Sequence, residues 1–240
     1  MYDFTYGGVS ASSLGVYAVQ RPNVPVPERN VELIEVQGMD GSLTVDYGTY
    51  KDVAFTVPCN FMSASPDEFE SDARKIRQWL LNTPLLSLLE FTDDDGWCRI
   101  VKKVSVGEIT RQNKLIGTFD VSFTCDPYMY DVSSLEESAL TVGTNTVQNL
   151  YMPAKPYFHF SGEGTGRISY GRMACSFILG QDVYIDTARE LAYNNNGAAV
   201  DVNFTSGSWE DFILPTGETK ITTNGTGVTA VKWAPRWRTI

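Results

Sequence analysis

Along most of the chain, apolar and polar residues alternate with a period of two. The clearest run is Leu115, Gly117, Phe119, Val121, Phe123 and Cys125, which alternate with Ile116, Thr118, Asp120, Ser122 and Thr124. Such alternation predicts a half-buried strand. Cys125-Asp126-Pro127-Tyr128 is expected to end it, and the run Trp97–Glu108 is expected to pair with it. Val53, Phe55, Val57 and Cys59 alternate in the same way, and Pro58 places that strand at an edge or bulge. Within Val31–Tyr47, VELIEV and SLTVDY read as a hairpin joined by Gly38-Met39-Asp40-Gly41. Leu85–Phe91 reads as a further strand leading into an exposed turn at Asp93-Asp94-Asp95-Gly96, whose spacing does not match a calcium loop.

One stretch follows a different period. Phe69, Ala73, Ile76 and Leu80 recur at helical spacing, with Trp79 beside them. Ser65, Pro66 and Glu68 suggest a capping box with proline in the first turn, which predicts a helix over about 66–81. Asn82-Thr83-Pro84 should stop it. Acids lead and bases follow, which suits the helix dipole. The apolar stripe is expected to plug a β core, leaving the charged face free to meet a neighbouring subunit.

Pro22, Pro25 and Pro27 predict an extended arm, lying over its own domain or strapped onto a neighbour. Residues 131–155 are rich in Ser, Thr and Gly and lack a long period, so a domain boundary is placed there, giving domains of 1–133 and 134–240. From Pro156 onward short strands are expected at Tyr157–Phe160, Arg167–Tyr170, Ala174–Leu179, Val183–Asp186, Leu191–Tyr193, Val200–Phe204, Phe212–Leu214, Lys220–Thr223 and Val228–Trp233. Turns are expected at Gly162–Gly166, Asn194–Gly197 and Asn224-Gly225. The fold class is mainly β with two domains: an N-terminal β-sandwich or barrel-like domain with one helix, and a C-terminal antiparallel β-sandwich.

Charge and composition narrow the function. The 240 residues carry a formal net charge of -10, which argues against a general nucleic-acid or anionic-membrane binder. MYDFTYGG has no basic n-region and no apolar run reaches membrane-span length, so synthesis in the cytoplasm and no membrane association are expected. Cys59, Cys98, Cys125 and Cys175 are widely spread and read as buried reduced thiols, with one disulfide left open. With a single histidine, a common zinc site is not expected.

Catalytic constellations are sparse. His159 sits among aromatic residues in YFHFSG and reads as structural, without the nucleophile and orienting acid of a triad. The glycine-rich Gly162–Gly166 lacks the helix of a phosphate loop. Glu210-Asp211 beside Trp209 is the one acid pair weighed for a glycosidase. Trp209, Trp233 and Trp237 could present a sugar-binding face, although core packing suits such rings better. No catalytic, cofactor-binding or metal residue is assigned, and no enzyme activity or cofactor is expected.

Ordered landmarks then resemble a family. Phe4-Thr5-Tyr6-Gly7-Gly8 with Leu14-Gly15, Gly38-Met39-Asp40-Gly41 before Tyr47-Gly48-Thr49-Tyr50, Trp79-Leu80, and Phe123–Tyr128 mark the first half. Ala154-Lys155-Pro156, Ile185-Asp186, Leu214–Glu218 and Pro235-Arg236-Trp237 mark the second. Together they resemble the distal tail proteins (Dit) of siphophages and prophages over nearly the whole chain. Thr219 departs from the pattern, which has asparagine there and so puts a local turn in doubt. The resemblance implies a structural hub of the phage tail tip: an N-terminal domain closing a homohexameric ring and a galectin-like C-terminal sandwich. Implied partners are the major tail tube protein, the tape measure protein, a tail-associated lysin or baseplate hub protein, and receptor-binding proteins. DNA would pass through without specific binding, past acids if these line the lumen. The implied location is the virion's distal tail tip. The alternative is a carbohydrate-binding sandwich for host receptors. The chain has no room for an inserted carbohydrate-binding module, so strong saccharide binding is not expected.

Overall fold

The structure is a computed structural model that describes residues 2–240. The chain divides into two compact units, one running to Met129 and one covering Tyr130–Thr239.

In the first unit the strands are β1 (Phe4–Tyr6), β2 (Val9–Ser10), β3 (Val16–Ala18), β4 (Arg29–Glu35), β5 (Ser42–Tyr50), β6 (Val53–Met62), β7 (Leu88–Phe91), β8 (Trp97–Val106), β9 (Thr110–Arg111) and β10 (Ile116–Asp131). The main sheet runs β2-β1-β7-β8-β10-β6-β3, with β9 on β10. Its two ends meet where Ala18 donates its N–H to the Tyr2 carbonyl at 3.2 Å. The sheet therefore curls toward a barrel, as expected from the sequence. The alternation along β10 is real: Gly117, Phe119, Val121, Phe123 and Cys125 all point inward. Cys125–Tyr128 does not end this strand, which continues to Asp131. Pro58 lies just past the last pair between β3 and β6, Ala18 with Cys59, where the ladder on that side has stopped.

The single α-helix among the described residues, α1, is Phe69–Asn82. Its buried face is Phe69, Ala73, Ile76, Trp79 and Leu80, the stripe read from the sequence. The start differs. Glu68 holds the N-cap position in helical conformation, and no side chain caps it. Residues 66–68 form a separate turn instead, in which Glu68 N–H reaches the Ser65 carbonyl at 3.2 Å. The capping box therefore does not form. The far end behaves as expected, since Thr83 is extended and donates both N–H and hydroxyl to the Trp79 carbonyl.

The second unit contains β11 (Ser138–Leu140), β12 (Gly143–Asn149), β13 (Tyr157–Tyr170), β14 (Met173–Asp186), β15 (Leu191–Asn194), β16 (Val202–Ser206) and β17 (Gly217–Ala234). Three long strands, in the order β17-β13-β14, do most of the work. The central β13 pairs with β14 and β17, while one half of β17 pairs with β11 and the other with β12, and the two halves of β14 pair with β15 and β16. Both halves of β13 feed one core, with Phe158 and Phe160 from the first half and Ile168 and Tyr170 from the second. The strands thus bend over their own core and supply both layers.

This corrects the expected pattern of short strands. Six of the expected segments merge in pairs into β13, β14 and β17. Gly162–Gly166 and Asn224-Gly225 are the bends of continuous strands rather than turns. Phe212–Leu214 is no strand; it follows a short 3-10 turn and holds only one bridge, Leu214 to Ala154. Residues 131–155, where the domain boundary is placed, carry β11 and β12. Thr219 lies inside β17 opposite Val147.

Glycine is what permits the bend. At Gly227 (φ +78°) an added Cβ would lie 1.7 Å from the Glu163 carbonyl oxygen, and at Gly162 (φ +137°) it would lie 2.0 Å from that of Gly227. The register between β13 and β17 shifts at this crossing. We expect Gly227→Ala to unfold or severely weaken the second unit in a urea titration. Gly197→Ala, at φ +74° in an open turn with nothing within 4 Å, should cost only about 1–2 kcal/mol.

Candidate functional site

Two surface features stand out. The first is the hairpin β4–β5. It forms a two-stranded sheet of its own and shares no ladder with the curled sheet. Leu33 pairs with Thr44 on one face, and Ile34 pairs with Leu43 on the other. Leu33 is 65% exposed and Leu43 50%, and Val31, Ile34, Val36 and Met39 are also exposed. Neither face of the hairpin is covered. Its polar clasps are an Arg29–Asp46 ion pair at 2.7 Å and the Tyr47 hydroxyl donating to Glu32 at 2.5 Å. An isolated hairpin of this kind is marginal in water, and a cluster of exposed apolar side chains marks an interaction surface.

The expected proline arm behaves differently. Residues 21–25 line a cavity in their own unit, and Pro27 is buried.

The second feature is centred on His159, on the outward face of β13. Its ring lies over Tyr184, with centroids 4.4 Å apart. Nδ1 is 3.0 Å from Glu137 and Nε2 is 3.0 Å from Asp182. Ser161 donates its hydroxyl to Asp182 at 2.6 Å, and Asn195 donates to the other oxygen of Asp182 at 2.9 Å. Both ring nitrogens thus face carboxylates. Tyr184 and Tyr193 stack at 5.3 Å, and the Tyr157 and Tyr193 hydroxyls meet at 3.2 Å. A serine, a histidine and acids do come together here, which the sequence alone did not reveal. The register of β13 against β14 sets Ser161 opposite Asp182 and His159 opposite Tyr184. The Ser161 proton is committed to Asp182, and Nε2 lies 3.5 Å from the Ser161 oxygen. The cluster is therefore closed upon itself.

Other residues singled out from the sequence take packing roles. Trp233 stacks on Phe158 at 6.1 Å, Trp237 meets Trp233 edge-on, and Trp209 stacks on Phe212 at 5.4 Å. Asp211 accepts the Ser208 N–H within the 3-10 turn, while Glu210 is exposed. Asp93 and Asp94 lie in the expected turn and pair with Arg21. All four cysteines are free and buried, and burial pushes the Cys59, Cys125 and Cys175 thiols up to about 12. Among the described residues no helix is long and apolar enough to cross a membrane.

The bonds from Ser161, Asn195 and His159 hold the Asp182 carboxyl down, at about 2 against an ordinary 3.8. A depressed carboxyl stabilises the fold above its unfolded value and loses that contribution as pH falls toward its folded value. Asp182→Asn should therefore lower the melting temperature at pH 7. Calorimetry should show the gap from wild type closing as pH falls from about 4 toward 2.

No family model matches the sequence, and a search of curated proteins found no match. Solved structures do match. The crystal structure of the SPP1 Dit (gp 19.1) protein, described as a paradigm of the hub adsorption apparatus in phages infecting Gram-positive hosts, aligns with a TM-score of 0.59 at 13% identity. That alignment covers 97% of this chain and 98% of the SPP1 chain. A chain of the phage P2 baseplate, in its activated conformation with Ca, aligns with a TM-score of 0.52 at 10% identity, covering 100% of this chain and 97% of that one. At such identities what is shared is the fold. The chain is therefore a two-unit, mainly β protein with the fold of phage distal tail and baseplate proteins, in line with the resemblance read from its sequence.

Proposed function

We propose that this protein is a structural hub of a phage tail tip. In this reading residues 1–133 close a homohexameric ring that joins the tail tube to a tail-associated lysin or baseplate hub protein. The tape measure protein and DNA pass through its centre, and residues 134–240 face outward, where receptor-binding proteins attach. The protein is made in the host cytoplasm and ends in the virion's distal tip, with neither enzyme activity nor membrane association.

The observation that carries this reading is the uncovered hairpin β4–β5. Its apolar side chains on both faces suit burial against a second copy. A self-complementary patch would give a dimer, whereas a hairpin docking on a different surface gives a head-to-tail ring. The full-length likeness to the SPP1 hub protein supports the same assembly. The net charge of -10 suits a DNA channel if acids line it.

Native mass and negative-stain imaging test the ring. Six copies of the 26.6 kDa chain give about 160 kDa with a central hole. Leu33→Lys and Leu43→Lys should each leave the circular dichroism spectrum unchanged and shift the mass toward the monomer. A wild-type protein that stays monomeric at high concentration, with and without its tail partners, would sink the reading.

The carbohydrate-binding alternative gains little, since the tyrosines around His159 pack on one another and its polar groups are mutually satisfied. A glycan array of host cell-wall sugars should return no binder at micromolar affinity.

A further inference from the structure

Arg99, on β8, is set apart from the other basic residues by its burial. It is 6% exposed, yet its Nη1 has no hydrogen-bond partner, and no carboxylate lies within ion-pair distance of it among the described residues. Burial works against its charge and lowers its pKa, and Cys125 and then Asp94 offset this only in part. A guanidinium stays protonated even so. A buried charge left unpaired is among the most expensive features a fold can carry. A persistent one marks a place where a counter-charge arrives.

Arg99 lines a cavity of about 60 Å³ beneath the segment Arg21–Pro25. Phe55, Phe91 and Trp97 supply apolar walls. The charged groups of the lining are Arg21, Arg99 and Asp94, so the pocket is biased toward cation in a chain whose net charge is -10. Arg21 is already engaged, to Asp93 at 2.5 Å and more loosely to Asp94 at 3.9 Å. That leaves Arg99 as the free anchor. The volume admits a carboxylate group and a water or two. A planar guanidinium fork matches a carboxylate in two parallel hydrogen bonds.

We infer that this pocket is a carboxylate-binding site anchored by Arg99. The guest is either a small soluble carboxylate or an Asp or Glu side chain of a second copy of the chain. The site stands whether or not the hub assignment holds.

Acetate is the probe, against chloride at equal ionic strength, on the full-length protein. In the first arm, the Arg99 side-chain N–H and Trp97 indole signals are followed by nuclear magnetic resonance. A soluble guest predicts saturable shifts with acetate at millimolar concentration and none with chloride. Acetate should also raise the wild-type melting temperature and leave that of Arg99→Met unchanged. Arg99→Lys should weaken the acetate response at least tenfold, because the fork is lost. Arg99→Met should fold at least as stably as wild type without acetate, since it replaces an unpaired buried charge with an apolar chain of similar size. In the second arm, native mass is compared between wild type and Arg99→Met. A lost or weakened assembly, together with no acetate response, assigns the guest to a second copy. Equal responses to acetate and chloride, with an unchanged assembled mass in Arg99→Met, would overturn the site.

Discussion

The first unit depends on how Trp79 is held. Its indole N–H donates to the Tyr6 carbonyl at 3.1 Å, and its ring stacks on Phe4 at 5.8 Å. Phe4 in turn meets Phe91 and Phe123. One side chain thus ties α1 to β1, β7 and β10. Truncating an aromatic ring buried like this typically costs about 3–5 kcal/mol, comparable with a large part of a domain's net stability. The curl of the sheet and its plug are therefore one packing problem, solved by one cluster of rings. The hairpin β4–β5 lies outside that solution, and its apolar side chains stay exposed.

Much of this could be read beforehand, and for a physical reason. The helix stripe at Phe69, Ala73, Ile76 and Leu80 and the alternation of β10 are local periodicities, and a one-sided core demands them. The capping box misled because Ser65 and Glu68 can close a turn as readily as cap a helix, and residues 66–68 took the turn. In the second unit, glycine misled in the same direction. Clusters such as Gly162–Gly166 look like chain reversals when read alone. Paired against Gly225 and Gly227, they become the point where two strands cross closely and bend together. The meaning of each glycine there lies in the partner strand's backbone, which a linear reading does not contain.

The side-chain clusters were harder to see. His159 could be named as the sole histidine, but Glu137 and Asp182 lie 22 and 23 residues away and join it only through strand register. Arg99 carried no sequence signal at all, because an arginine on a strand normally reaches water. Its isolation follows from the segment Arg21–Pro25 lying over the same cavity. Contacts at long sequence separation are set by the sheet order, and the order β2-β1-β7-β8-β10-β6-β3 is not written in any single stretch.

The buried thiols carry a consequence for durability. A thiol reacts through its thiolate, and burial keeps Cys59, Cys125 and Cys175 protonated far above neutral pH. No pair of them is bonded, and the two units contain their own separate sulfurs. The fold therefore gains nothing from oxidation and has little to lose by it. It can be assembled among reductants and then stand in air for as long as its core stays closed, without changing a covalent bond.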